Sequence, residues 1–186
     1  SILLEFCKSS LDKALKQLNN ADRVGVIYEI CSAMDYIHKC KIIHRDLKLT
    51  NILINNKNHV KICDFGYSKV FDLDTLTSIS HGVGAIAFMA PEMFDDSIIY
   101  DEKVDVYSFG VVMYLILTKQ TKPKFTKIGC YESMELPDSI NKLSSSIIKR
   151  CWSSSPKERP SFSDILELII KNNFMLIDGI ENEIPK

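Results

Sequence analysis

The segment 103–117 constrains the fold more than any other part of the sequence, because it is apolar on nearly every side of a helix. Its large apolar residues leave no continuous polar stripe: Val104, Val106, Phe109, Val111, Val112, Met113, Leu115 and Ile116. Such a helix is normally enclosed by other elements at the centre of a domain. It is also shorter than the ~20 residues that a membrane span needs. We therefore predict a globular domain built around this helix, without membrane insertion.

The composition is that of one ordinary globular domain. Of the 186 residues, 46% are hydrophobic and 25% are charged, which suffices for a sizeable core and a solvated surface. The formal net charge is only −1, so nothing draws the chain to nucleic acid or to an anionic membrane surface. We therefore predict no nucleic-acid partner, and the composition leaves the oligomeric state unknown.

The six cysteines are scattered, and none forms a C-x-x-C pair or lies at zinc-site spacing from a histidine. This pattern favours free thiols in a reducing compartment. Residues 1–6 have no basic flank, and their apolar run is too short for a signal peptide. We therefore expect a cytoplasmic location.

Hydrophobic periodicity predicts further helices around the central one. Four segments have helical spacing: 11–18, 21–40, 141–151 and 161–172. The second of them carries one buried stripe made of Val24, Ile27, Cys31, Met34 and His38. Ser161 and Asp164 resemble a capping box at the start of the last helix.

Two short runs, 52–54 and 60–62, are typical of β-strands, and the asparagine-rich residues 55–58 between them favour a turn. Residues 66–90 lack periodicity and are rich in Ser, Thr, Gly and Asp, which predicts a long loop of the kind that is usually functional. The predicted fold class is therefore mainly α with a small β-hairpin.

The stretch 43–51, with the sequence IHRDLKLTN, brings together a carboxylate, an ammonium and a carboxamide. Phosphoryl transfer needs these groups, because it depends on positioning, on a carboxylate for the hydroxyl proton and on cationic charge near the phosphates. Asp46 is the candidate base and Lys48 the candidate cation. Asn51 and Asp64 offer the oxygen ligands that Mg²⁺ prefers.

A series of motifs in this order resembles the eukaryotic protein kinases of the tyrosine-kinase-like Ser/Thr type. The motifs are Leu4-Glu5-Phe6-Cys7 at the hinge position, HRDLKLTN, Asp64-Phe65-Gly66, Ala90-Pro91-Glu92, Asp105-Val106-Tyr107-Ser108-Phe109-Gly110, and Cys151-Trp152…Pro156…Arg159-Pro160. The resemblance covers residues 2–172 and implies the large, C-terminal lobe of the α+β protein-kinase fold. It places a partial kinase domain, hinge plus this lobe, over 1–176 and a C-terminal tail over 177–186.

The resemblance implies a transferase that moves the γ-phosphate of ATP to Ser or Thr hydroxyls of a protein substrate. Asp46 would be the catalytic base, Lys48 would contact the phosphate, and Asn51 and Asp64 would hold magnesium, with manganese as an alternative. On the nucleotide side, the family positions correspond to Glu5 and Cys7 (backbone contacts to adenine), Leu53 (packed under adenine) and Leu4 (gatekeeper).

Other family positions imply structural roles. Glu92 and Arg159 would form a buried ion pair, and Asp105 would brace the backbone of the catalytic loop. His44 and Phe65 would stack, which makes His44 a packing residue rather than an acid or base. Cys63 fits a small buried hydrophobe better than a reactive thiol.

Arg45 occurs beside the catalytic aspartate in kinases whose activation loop is phosphorylated, and a guanidinium suits phosphate. The candidate phosphate acceptors are Thr75, Thr77, Ser78 and Ser80. They fit solvated loop hydroxyls equally well, so both interpretations stay open.

The sequence also departs from the family. No G-x-G-x-x-G loop and no strand lysine precede the hinge-like residues, so we expect the small lobe to be missing from this chain. Ala85 stands where Ser/Thr-specific members have threonine, although Lys48 favours that specificity. The segment 118–136 is short for a substrate-docking helix.

Three functions therefore stay open. They are a kinase that requires an upstream small lobe, a kinase-fold module that binds without phosphotransfer, and a fragment with no independent function.

Overall fold

The computed structural model describes residues 5–70, 86–95, 97–123 and 136–178. Several predicted features lie outside the described residues, namely the gatekeeper Leu4, the acceptors Thr75, Thr77, Ser78 and Ser80, the substituted position Ala85, and most of the segments 118–136 and 177–186.

The described residues form a helix-rich chain with two small antiparallel sheets, which confirms the predicted mixture of helices and a hairpin. In chain order the elements are β1 (Ser9–Ser10), α1 (Leu11–Ala14), α2 (Asn20–Lys39), β2 (Ile42–Ile43), β3 (Ile52–Ile54), β4 (Val60–Ile62), β5 (Lys69–Val70), α3 (Lys103–Thr118), α4 (Lys142–Cys151) and α5 (Phe162–Lys171). Among them, no helix is long and apolar enough to cross a membrane.

Helix α3 is the centre of the fold, as its all-round apolar sequence predicts. Every residue from Val104 to Ile116 is buried. Arg23 at the start of α2 donates to the carbonyl oxygens of Ile116 (3.2 Å) and Leu117 (2.8 Å), so a cation meets the negative end of the α3 dipole.

Helix α4 approaches α3 closely at Gly110. A Cβ atom there would lie 2.7 Å from the Cβ of Cys151 and 2.8 Å from the Trp152 ring, so only glycine fits between the helices.

Helix α2 buries its predicted stripe, since Val24, Ile27, Cys31 and Met34 all lie in the core. The helix begins at a capping box made by Asn19 and Asp22. Because α2 has its own N-terminal cap at Asn19, the chain leaves the helical conformation before it, and α1 ends at Ala14, earlier than the helix predicted over 11–18.

The last two helices also follow the sequence pattern. Asn141 caps α4 by accepting the Ser144 N–H at 2.9 Å. Ser161 and Asp164 form the predicted capping box at the start of α5, in which the carboxylate accepts the Ser161 N–H at 2.8 Å.

The predicted hairpin is present as β3 paired with β4, and β1 adds a third strand on the other side of β3. Leu53 therefore sits in the middle strand, opposite Ser10 and Lys61.

The prediction of a loop throughout 66–90 is wrong at Lys69–Val70, which form β5 and pair with β2. A two-residue strand carries no alternation that a sequence pattern can register, and its structure comes from its partner Ile42–Ile43.

Candidate active site

The catalytic-loop candidate is held from behind by one buried carboxylate. Asp105 on α3 has no exposed surface and accepts the backbone N–H groups of His44 and Arg45, both at 2.8 Å. The brace expected of Asp105 is therefore confirmed. A third donor, Nε2 of His38 at the end of α2, lies 2.9 Å from the same carboxylate.

Sequence reasoning placed His38 on the buried stripe of α2 and missed this contact. A histidine that ends an otherwise aliphatic stripe was the available signal, because a buried imidazole needs a hydrogen-bond partner.

Arg45 adopts a left-handed backbone conformation with φ of 67°, which a non-glycine residue takes only when its surroundings impose it. Its guanidinium donates from Nε to the carbonyl oxygen of Tyr67 and from NH1 to the Tyr100 hydroxyl at 3.2 Å. The side chain thus ties the loop to two later segments.

Asp46 is buried, with 7% of its surface exposed, and its Oδ2 accepts two hydrogen bonds. Lys48 Nζ lies 2.6 Å from that oxygen and Asn51 Nδ2 lies 2.7 Å from it. Asn51 Nδ2 also donates to the Asp46 carbonyl oxygen at 2.9 Å. The structure thus brings three of the predicted site residues together, and no described residue donates a hydrogen bond to the second carboxylate oxygen, Oδ1.

His44 connects Asp46 to the segment around Cys63 and Phe65. Its Nδ1 accepts the Asp46 N–H at 3.3 Å, and its Nε2 lies 3.0 Å from the carbonyl oxygen of Cys63. These partners fit one neutral tautomer with the proton on Nε2. The ring meets Phe65 edge to face, with 5.0 Å between centroids, so the expected contact between the two rings is confirmed.

Asp64 contrasts with Asp46. It is exposed, has a left-handed backbone with φ of 66°, and forms no hydrogen bond or ion pair with any other described residue. The residue before it, Cys63, follows strand β4, and its backbone N–H donates to the Asn51 carbonyl oxygen at 3.0 Å.

The side-chain oxygens of Asn51 and Asp64 are suitable ligands for magnesium. The Asn51 nitrogen is engaged by Asp46, so its amide oxygen and the Asp64 carboxylate are the hard oxygen donors that Mg²⁺ prefers. In the described parts of the chain, no three His, Cys, Asp or Glu side chains are grouped to hold a metal. A cation here would therefore need oxygen ligands from a bound phosphate as well.

The residues expected to surround adenine lie along the β1–β3–β4 sheet. The Glu5 carboxylate is exposed and pairs with Lys61 Nζ at 2.9 Å, and the hydrogen bonds from Lys61 and Asn55 lower the pKa of Glu5. Cys7 and Leu53 are half-buried.

Cys63 is half-buried, and its Sγ lies 3.4 Å from the Asn51 carbonyl oxygen. Burial, and then the charge of Asp64, raise the pKa of its thiol. A protonated thiol is a poor nucleophile, which agrees with a packing role for Cys63.

The expected buried ion pair is confirmed. Arg159 donates to Glu92 through both terminal nitrogens, at 2.5 Å and 2.8 Å, and from Nε to the Ser153 carbonyl oxygen at 2.9 Å. Nearby, the Ser108 hydroxyl on α3 donates to the Phe88 carbonyl oxygen at 2.6 Å. The segment 86–94 is therefore fixed to the helical core.

Comparisons with known proteins agree with this arrangement. Residues 1–169 match the family described as protein tyrosine and serine/threonine kinase. The chain is 35% identical to serine/threonine-protein kinase CTR1 of Arabidopsis thaliana over 84% of its length and 20% of that protein. It is 38% identical to mitogen-activated protein kinase kinase kinase dlk-1 of Caenorhabditis elegans, over 88% of its length and 19% of that protein.

A third relative, serine/threonine/tyrosine-protein kinase HT1 of Arabidopsis thaliana, is 36% identical over 82% of the chain and 40% of that protein. The chain thus spans between 19% and 40% of the length of these relatives. The match nevertheless extends over most of the chain and includes every motif described above. The chain belongs to the protein tyrosine and serine/threonine kinase family.

Proposed function

We propose that this chain forms the large, C-terminal lobe of a protein kinase that transfers the γ-phosphate of ATP to Ser or Thr hydroxyls of proteins. The proposed kinase part covers residues 1–176 and includes the hinge, and 177–186 is a tail. The glycine-rich loop and the strand lysine of the family are not in this sequence, so we propose that activity needs a small lobe that precedes it in a longer protein.

One observation carries the proposal, which is the pairing of Asp46 with Lys48 and Asn51 on a single carboxylate oxygen. Two donors on Oδ2 orient the carboxylate and leave Oδ1 to accept the proton of a substrate hydroxyl. The Lys48 ammonium, 2.6 Å from the carboxylate, would also lie close to a phosphate that approaches this hydroxyl. Phosphoryl transfer needs this positioning and charge more than it needs covalent chemistry.

Protein kinases use ATP together with Mg²⁺. In this chain Asn51 and Asp64 would hold magnesium, or manganese in its place, through their side-chain oxygens. The bound cation would neutralise charge on the phosphates. Glu5 and Cys7 would meet adenine through backbone groups, and Leu53 would pack beneath it.

The Ser/Thr preference rests on Lys48 in the catalytic loop and on relatives such as CTR1, whose name includes serine/threonine-protein kinase. The cytoplasmic location stays a prediction that rests on the scattered cysteines. We propose no nucleic-acid partner, because the net charge is −1.

The test is phosphate transfer from Mg-ATP by the full-length protein that contains this chain, compared with Asp46→Asn. We expect the substitution to lower the transfer rate by about 10²–10⁴-fold, since general-base catalysis contributes that much. Asp138→Asn, at an exposed aspartate, is the matched control and should leave the rate unchanged.

Phosphoamino-acid analysis of the product then distinguishes Ser and Thr from Tyr. Equal rates in the Asp46→Asn and unmodified proteins would contradict the assignment of the base. Nucleotide binding without transfer in both proteins would instead support a kinase-fold binding module.

A further inference from the structure

Tyr100 lies outside the family motifs, yet its hydroxyl group reaches the catalytic loop. Its half-buried ring packs against the hydrophobic core, and its hydroxyl oxygen accepts a hydrogen bond from Arg45 NH1 at 3.2 Å. The segment that carries Tyr100 is joined to α3, because the next residue, Asp101, accepts the Lys103 N–H at 2.9 Å. Tyr100 therefore connects the helical core to the residue that precedes the proposed base.

Arg45 is held through both its backbone and its side chain. Its backbone N–H donates to Asp105 at 2.8 Å, and its guanidinium donates from Nε to the Tyr67 carbonyl oxygen and from NH1 to Tyr100. Rotation about the N–Cα bond, which φ measures, would move the side chain relative to the N–H. The contacts together therefore fix φ at 67°, a value that a non-glycine residue adopts only when its surroundings impose it. Because Asp46 is the next residue, the direction of its carboxylate depends on this turn.

The two acceptors of the guanidinium differ in what holds them. The Tyr67 carbonyl belongs to the short helical turn Phe65–Tyr67, and 42% of the Tyr67 surface is exposed. The Tyr100 ring instead packs against the hydrophobic core. Tyr100 is thus the acceptor that joins Arg45 to the buried part of the fold.

The charge of Arg45 makes both contacts important. None of the ion pairs among the described residues includes Arg45, and its two acceptors are neutral oxygens. A hydrogen bond from a charged donor is stronger than one between neutral groups. Removal of the Tyr100 hydroxyl would leave the guanidinium with the Tyr67 carbonyl as its acceptor in the described part of the chain.

We propose that Tyr100 is a positioning residue for the catalytic loop. Its hydroxyl holds Arg45 in the left-handed conformation, and this conformation directs the Asp46 carboxylate toward the substrate hydroxyl. This role rests on the proposed kinase function, in which Asp46 is the base. Tyr100 would touch neither substrate nor nucleotide and would act through Arg45.

Tyr100→Phe tests this role, because it removes the hydroxyl and keeps the ring that packs against the core. In the full-length protein that contains this chain, we expect the kcat of phosphate transfer from Mg-ATP to fall by about three- to tenfold, the net worth of one hydrogen bond. The KM for ATP should be unchanged, since neither Tyr100 nor Arg45 is among the residues proposed to meet the nucleotide. Tyr36→Phe, at a tyrosine of α2 with 70% of its surface exposed, is the matched control and should leave kcat unchanged.

A double-mutant cycle separates positioning through Arg45 from a general effect on stability. Arg45→Met keeps the length of the side chain and removes its donors, so we expect it to lower kcat as well. In that background Tyr100→Phe should cause no further loss, because both substitutions remove the same hydrogen bond. Equal losses of kcat in the two backgrounds would mean that Tyr100 acts without Arg45, and would overturn the proposal.

A second measurement does not require kinase activity. With ¹⁵N-labelled arginine, the Nε–H resonance of Arg45 is identified by its absence in Arg45→Met. We expect exchange of this proton with solvent to be about three- to tenfold faster in Tyr100→Phe, because the guanidinium has lost one hydrogen bond. The exchange rate in Tyr36→Phe should equal that of the unmodified protein.

The two measurements distinguish failure of this role from failure of the proposed function. An unchanged kcat in Tyr100→Phe, with transfer lost in Asp46→Asn, would overturn the role of Tyr100 and leave the proposed base in place. An unchanged exchange rate would show that Tyr100 does not hold Arg45, and it would overturn the proposal whether or not the protein transfers phosphate. Equal transfer in the Asp46→Asn and unmodified proteins would instead contradict the proposed base.

Discussion

The two aspartates that the family motifs single out occupy opposite environments. Asp46 is buried and accepts hydrogen bonds from Lys48 and Asn51 on one oxygen. Asp64 is exposed and forms no polar contact with the other described residues. Both have the same side chain, and both lie next to backbone that is fixed by hydrogen bonds.

This difference agrees with the different roles that we propose for the two carboxylates. The carboxylate that would receive a proton is oriented by the protein itself, before any ligand arrives. The carboxylate that would bind a metal has no polar partner among the described residues, so its oxygens would be available to a cation. The contrast can be tested, because it predicts that similar substitutions in buried and in exposed regions will lower the stability of the protein by different amounts.

The largest effect on stability is expected when the brace behind the catalytic loop is removed. Asp105→Ala leaves three donors without an acceptor, one of them buried and two partly buried. Each costs about 1–3 kcal/mol, and the partly buried ones lie at the lower end of that range, so we expect the free energy of unfolding to fall by at least about 3 kcal/mol. Asp64→Ala removes an exposed group that has no polar partner in the described parts of the chain, and it should change the free energy of unfolding by less than about 0.5 kcal/mol. Urea unfolding of both variants measures the difference, and similar losses would refute the contrast.

The second comparison concerns two glutamates in ion pairs. Glu92→Gln leaves the guanidinium of Arg159 buried without its counter-charge, which should cost about 3–5 kcal/mol. Glu5→Gln breaks an exposed pair with Lys61, and we expect no change that thermal unfolding can resolve. A stable Glu92→Gln variant would show that segment 86–94 is held mainly by other contacts, such as the Ser108–Phe88 hydrogen bond.

The third comparison concerns two glycines. Gly110→Ala forces a methyl group against Cys151 and Trp152, and such overpacking costs about 1–3 kcal/mol. Gly66→Ala places its Cβ 3.3 Å from the exposed Asp64 Oδ1, a side-chain atom that can move away. We therefore expect a lower melting temperature only for Gly110→Ala, and equal melting temperatures would contradict the close helix approach.

The smallest effect on stability is expected at the capping box of α5. This capping box lies apart from Asp46 and Asp64 and serves as a reference for the other comparisons. Hydrogen bonds from the Ser161 hydroxyl and backbone N–H lower the pKa of Asp164 below its unfolded value. Its stabilising contribution is therefore complete above pH ~4 and is lost as the pH falls through the lower, folded pKa.

At pH 7, Asp164→Ala should reduce the free energy of unfolding by about 0.5–1 kcal/mol, as loss of a cap does. Urea titrations at several pH values should show this difference shrinking as the solution is acidified below pH ~4. A difference that stays constant down to pH 3 would mean that the carboxylate charge does not contribute.

Much of this arrangement could be predicted from the sequence, because its signals are local. The apolar residues of α3, the hairpin around 55–58 and the Ser161–Asp164 capping box each lie within one element. The Glu92–Arg159 pair and the Asp105 brace are long-range contacts, and only the family motifs made them predictable.

The rest depends on tertiary contacts that have no local signature. Strand β5 exists because Ile42–Ile43 pair with it, and two residues are too few to show a period. The hydrogen bond from His38 to Asp105 joins two helices, and neither sequence alone specifies the partner. The cavity where the end of α2, strand β2 and the beginnings of α3 and α5 meet is formed by four elements together, so it could not be predicted before they were placed.

The brace at Asp105 has a consequence for the order of folding. His44 and Asp105 are 61 positions apart in sequence, and Glu92 and Arg159 are 67 apart. Contacts of such separation close large loops and form late, after local helices and hairpins. On the ribosome, the catalytic loop must wait until α3 has emerged before its left-handed Arg45 is held in place. A growing chain would therefore acquire its α2 helix and hairpin well before it acquires the geometry around Asp46.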